Sequence, residues 1–113
     1  MVSAEFETYL SGIGLSVQDH DLNGEAWMIL KGLPIKVGTH KGCDCDVALR
    51  RSAANPWQPE AQVHVRPHLV AMGQHSSQPS PLGEDWQYLS RRFDLVPTPA
   101  AYLAFIRSAL EEL

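Results

Sequence analysis

Apolar positions along this chain follow two different rhythms, and the changes between them predict its elements. Near the start, Phe6, Tyr9, Leu10 and Ile13 recur at helical spacing behind Ser3, a residue type suited to capping, and Gly12 and Gly14 mark the exit. The rhythm then becomes alternation. Leu15 and Val17 predict a short strand ending in the turn from Asp19 to Gly24, where Asp21, Asn23 and Gly24 supply turn chemistry. Residues 25–33 predict a second strand, with Trp27, Ile29 and Lys31 on one face and Ala26, Met28 and Leu30 on the other. After Leu33-Pro34 and a turn from Gly38 to Gly42, the segment Cys43 to Arg50 predicts a third. There Cys43, Cys45, Val47 and Leu49 alternate with Asp44, Asp46, Ala48 and Arg50. The stretch Asn55-Pro56-Trp57-Gln58-Pro59 reads as a rigid connection, because each proline fixes its own φ and restricts its predecessor. Gln62 to Arg66 predicts a fourth strand. Periodicity then lapses from Pro67 to Pro97, an irregular crossing of about 30 residues and hence a candidate for function. Thr98-Pro99 opens a last helix, whose buried stripe is Tyr102, Leu103, Ile106, Ala109, Leu110 and Leu113.

This order, a helix, a four-stranded antiparallel meander, a long crossing and a helix, predicts an α+β fold with one sheet face packed on helices. With 113 residues, 44% of them hydrophobic, residues 1–113 are expected to form a single domain around one modest core. The formal net charge of −4 supplies no basic field, so neither nucleic acid nor an anionic membrane is an expected partner. No stretch approaches the ~20 apolar residues of a membrane span, and no basic segment followed by an apolar run opens the chain, so a cytoplasmic location is expected. Cys43 and Cys45 are the only cysteines, and a disulfide across one intervening residue is strained.

Candidate chemistry concentrates in residues 66–86, where a strand hands its chain to an irregular segment. Here the sequence resembles the ubiquitin-conjugating (E2) superfamily, in particular its shorter bacterial branches and the related RWD-type domains. That family has a helix, a four-stranded meander, a Tyr-Pro-x-x-Pro-Pro turn, a strand, a His-Pro-Asn signature and then the catalytic Cys. Asn55-Pro56-Trp57-Gln58-Pro59 is similar to the Pro-rich turn, and Val63 and Val65 match the strand after it. Arg66-Pro67-His68 stands at His-Pro-Asn, with only Pro67 retained. Ser76, in Gly73-Gln74-His75-Ser76, occupies the place of the Cys, and Trp86 and Tyr88 resemble the aromatic residues that follow.

The resemblance implies a UBC-like fold and a surface built from Arg66, His75, Trp86 and Tyr88 that binds a protein, either a ubiquitin-like modifier or its activating enzyme. It implies no cofactor. Ser76 and His68 are the implied catalytic positions, but a serine hydroxyl neither ionises nor leaves as a thiol does unless a base activates it. Two readings follow: a non-catalytic E2-like interaction module, or an active conjugating enzyme whose acceptor is Ser76 or a Cys replaced there. A serine/histidine hydrolase is a further version of the second. The E2-like path implies His68 and Ser76 within roughly 10 Å of each other along a shallow groove, with no pocket of the size that encloses small ligands.

Other clusters are read as structural. His40, Cys43, Asp44, Cys45 and Asp46 lack the paired spacing of a zinc site, and the thiols fall on the apolar face of a strand, so no metal is expected. His64, His68 and His75 are read as hydrogen-bonded or surface residues. Arg91 and Arg92 beside Asp94 suggest ion pairs, while Phe93 and Leu95 with Trp86 suggest a packed lid.

Overall fold

The computed structural model describes residues 4–50, 63–89 and 98–113. Ser3, the Asn55–Pro59 stretch and Arg91 to Leu95 lie outside the described residues. The elements are α1 (Ala4–Gly12), β1 (Ser16–Leu22), β2 (Glu25–Pro34), β3 (Asp44–Arg50), β4 (Val63–Arg66), a 3-10 turn (Gln74–Ser76), β5 (Ser77–Ser80), β6 (Gly83–Leu89) and α2 (Pro99–Glu111). The fold is α+β, with an antiparallel sheet in the order β1-β2-β3-β4-β6-β5.

Among the described residues six strands stand where the pattern predicts four. The additional pair, β5 and β6, is a hairpin inside the supposed irregular crossing, and β6 docks on β4. Its strands carry little alternation to announce them: β5 is Ser-Gln-Pro-Ser, and β6 opens on Gly-Glu-Asp.

Local chemistry sets the ends of the elements. Gly14, at φ 86°, closes α1. Leu15 N–H donates to Leu10 O at 2.9 Å and Gly14 N–H to Ser11 O at 3.1 Å, a Schellman pair with Leu10 and Leu15 in contact with the core. Because the chain leaves the helix here, Ile13 falls out of the expected stripe and is 48% exposed. Asn23 and Gly24, both with positive φ, form the two-residue β1–β2 turn, as a type I′ hairpin requires. At the other end, Thr98 Oγ1 accepts from Ala101 N–H at 3.2 Å, with Pro99 at the first helical position.

The core lies between the helices and one sheet face. Met28, Leu30 and Leu33 from β2, Cys45, Val47 and Leu49 from β3, and Val63 and Val65 from β4 meet Phe6, Leu10, Tyr102, Leu103, Ile106 and Leu110. Phe6 stacks on Tyr102 with ring centroids 5.1 Å apart. The opposite face, called outer below, carries a smaller buried cluster of Trp27, Ile29, Ala48 and Trp86. Among the described residues no helix is long and apolar enough to cross a membrane.

Candidate functional site

The segment after β4 is held by polar side chains that the hydrophobic pattern does not reveal. A cis peptide joins Arg66 to Pro67. Beyond it, fully buried Gln87 of β6 reaches across from the inner face: its amide donates to Val70 O at 2.7 Å and accepts from Leu69 N–H at 3.1 Å. Buried Ser77 holds the next turn, accepting from Gly73 N–H at 3.0 Å and donating to Ala71 O at 3.1 Å. Between these anchors, Gly73, His75 and Ser76 all adopt positive φ, so His75 and Ser76 project from a tight left-handed turn and are exposed.

His68 and Trp86 meet. His68 Nε2 donates to Trp86 O at 2.9 Å, leaving Nδ1 without a hydrogen-bond partner among the described residues. With Met72, Pro79, Ser80, Pro81, Gly83 and Glu84 they line an open, mainly apolar groove of about 440 Å³. That volume is in the range of small-molecule clefts, larger than the shallow groove expected from sequence. Ser76 is not among its lining residues, and no hydrogen bond joins Ser76 to His68. Among the described residues the hydroxyl at 76 therefore has no hydrogen-bonded base, and without one a serine is a poor nucleophile.

Ser80 does contact a histidine. Its Oγ accepts from Leu82 N–H at 3.2 Å and lies within hydrogen-bond distance, 2.8 Å, of His64 Nδ1. His64 is buried on the outer face, stacked on Tyr88 at 4.9 Å and set edge-on to Trp27 at 4.9 Å. Burial, with a smaller contribution from the Arg50 charge, pushes its pKa down to about 4, so the ring is neutral near pH 7. A ring that resists protonation so strongly is a weak general base; the Ser80–His64 pair pins the β5–β6 hairpin to β4. Tyr88 is thus half-buried packing on His64 and stands apart from the groove lining.

Arg66 turns to the other side of Trp86. Its guanidinium carbon sits 4.6 Å from the Trp86 ring centroid, and its Nη2 is 2.6 Å from Asp46 Oδ2. Lys31 Nζ reaches the same oxygen at 3.0 Å, while Asp46 Oδ1 accepts from Gly32 N–H at 3.0 Å. A bulge between Leu30 and Leu33, with Gly32 at φ 65°, presents Lys31 and the Gly32 N–H together. Burial opposes ionisation of Asp46, but the hydrogen bonds from Arg66, Gly32 and Lys31 outweigh it and hold the carboxyl below its usual range. The pattern places Lys31 and Asp46 on strand faces, but nothing in it pairs Asp46 with Arg66.

No family model, curated protein or solved structure matches this chain. The two thiols do not share a site: Cys43 is exposed in the loop before β3, while Cys45 is buried and its Sγ lies 3.6 Å from Leu33 O. Burial, reinforced by Asp46, Asp44 and Cys43, pushes the Cys45 thiol up to about 12, so it is neither a nucleophile nor a ready metal ligand.

Proposed function

We propose that the chain is a protein-interaction module of the E2-like kind, which receives a ubiquitin-like modifier or its activating enzyme on the 66–86 face without conjugating it. The observation that supports this reading most is the open apolar groove beside His68 and Trp86, rimmed by Met72 at 44% exposure, with no activated nucleophile in it. An exposed apolar concavity on a rigid hairpin suits a partner's side chain. The order of α1, four meander strands and the 66–76 segment is the further support for the E2-like comparison. Among the described residues the hydroxyl of Ser76 lacks the contact with a base that transfer of a modifier to it requires.

The test is incubation of the full chain with a ubiquitin-like modifier, its activating enzyme and ATP, followed by native and denaturing mass spectrometry. The expected result is a non-covalent complex and an unmodified chain after denaturation. An ester at Ser76 overturns the non-catalytic reading, and absence of any complex overturns the interaction reading.

A further inference from the structure

On the outer face, a second pocket of about 300 Å³ is lined by Gln18, His20, Lys31, Arg66, Leu82 and Trp86. It shares the Trp86 wall with the apolar groove but differs in chemistry, because donors dominate it. Its cations are preorganised. Asp46 ties down one edge of the Arg66 guanidinium through Nε at 3.2 Å and Nη2 at 2.6 Å, and takes one ammonium proton of Lys31. Arg66 retains Nη1 and the other Nη2 proton, and Lys31 two protons, uncommitted among the described residues. Stacking on Trp86 fixes the plane of the guanidinium, so less side-chain freedom is lost on binding.

The charge count selects the ligand. Lys31 and Arg66 against Asp46 leave one net positive charge, an island on a chain of formal net charge −4. The β1 carboxylates do not cancel it: Gln18 and His20 pair with Ile29 and Trp27 and share their face, whereas Asp19 and Asp21 alternate to the opposite one. Asp44 at the start of β3 and Glu84 on the rim of the apolar groove also share the outer face, but neither lines this pocket. A single carboxylate neutralises such a cluster, while a phosphate dianion leaves this triad net negative. The uncommitted end of a guanidinium beside an ammonium suits the two oxygens of a carboxylate.

We propose that this pocket binds a carboxylate side chain of the protein partner, adjacent in that partner to an apolar residue that enters the groove on the other side of Trp86. The proposal rests on the reading of the chain as an interaction module. It assigns the partner's contact segment a chemistry: one acidic residue beside one large apolar residue.

The test follows assigned NMR signals of the full chain at pH 7.5. The probes are a capped hexapeptide carrying one glutamate next to one leucine, the same peptide with glutamine for glutamate, and inorganic phosphate at matched ionic strength. The glutamate peptide is expected to move Arg66 Nε–H, the Gly32 amide and the Met72 methyl, and the glutamine peptide the Met72 methyl alone. Lys31→Gln, which leaves the Arg66–Asp46 pair in place, is expected to weaken the glutamate peptide roughly tenfold and the glutamine peptide not at all. Arg66→Gln is expected to do the same, with preserved amide dispersion as the check on folding; if it unfolds, Lys31→Gln carries the test. Equal effects of the two peptides on Arg66, no effect of Lys31→Gln, or phosphate binding tighter than the glutamate peptide each overturn the carboxylate site. Movement of Met72 without Arg66 leaves the module reading standing and removes this one. Movement of Arg66 without Met72 overturns the pairing across Trp86 and counts against the groove.

Discussion

Acid should destabilise this fold through one identifiable residue, the buried His64. His64 is 3% exposed, enclosed by Trp27, Tyr88 and Ser80, and its pKa falls from an ordinary 6.5 to about 4. A lowered folded-state value means that the unfolded chain takes up the proton first. The stability contributed by neutral His64 is complete above about pH 6.5 and is lost as pH falls towards 4, below which this residue contributes no further loss. Each tenfold difference in proton affinity is worth about 1.4 kcal/mol, so the full effect is about 3 kcal/mol. That is a large share of the 5–15 kcal/mol typical of a small domain. The assay is urea unfolding followed by tryptophan fluorescence at several pH values between 7.5 and 4, on the wild type and on His64→Gln, whose amide oxygen can accept the Ser80 proton. Taking the difference between the two proteins cancels the titration of every other group. The stability advantage of the wild type should shrink by about 3 kcal/mol across this range. Parallel profiles for the two proteins would refute the argument, since they mean that His64 titrates alike in the folded and unfolded chains.

Three further outcomes follow from packing and backbone geometry. Ile106→Ala removes a fully buried side chain between α2 and the sheet and should cost about 2–5 kcal/mol, seen as a lowered denaturation midpoint; an unchanged midpoint contradicts the layer arrangement. Gly38 has φ 91° and a Cβ there would strike the Glu111 carbonyl oxygen, whereas Gly42 has φ 92° and open space around it. Gly42→Ala should therefore lose only the backbone term, about 1–2 kcal/mol, and Gly38→Ala clearly more; equal losses would mean the loop does not seat on the end of α2. A thiol reagent at pH 8 should label exposed Cys43 quickly and buried Cys45 only on denaturation, and rapid labelling of both contradicts the burial of Cys45.

Sequence pattern reached the fold where side chains alternate or recur, and failed where polar groups do the holding. The four meander strands and α2 announce themselves because Met28, Leu30, Val47, Leu49 and Ile106 must face one core. The hairpin of β5 and β6 does not, because its anchors are polar: Ser80 and Gln87 bond to His64 and Val70 far along the chain, Ser77 bonds back to Gly73 within one turn, and none of these leaves an apolar period. The same reason hid the outer pocket: Asp46 and Arg66 are 20 positions apart, and only the pairing of β3 with β4 brings them together. Of the expected site residues, Arg66, His68 and Trp86 converge around one indole, whereas Ser76 and His75 stand on a separate turn and Tyr88 packs on His64. Motif position puts Ser76 in the neighbourhood of His68 without requiring contact, and the Gly73–Ser77 turn leaves the two without a mutual hydrogen bond.

Docking of a protein partner on the 66–86 face, as proposed, is read out by methyl and indole NMR of the full chain mixed with a ubiquitin-like modifier or its activating enzyme. Three exposed apolar side chains sit in different places: Met72 on the groove, Ile13 after α1 and Val37 in the loop before β3, with exposures of 44%, 48% and 54%. Binding should shift or broaden the signals of Met72, Leu82 and Trp86 and leave those of Ile13 and Val37 in place. A footprint on Ile13 or Val37 with Met72 untouched would contradict the claim.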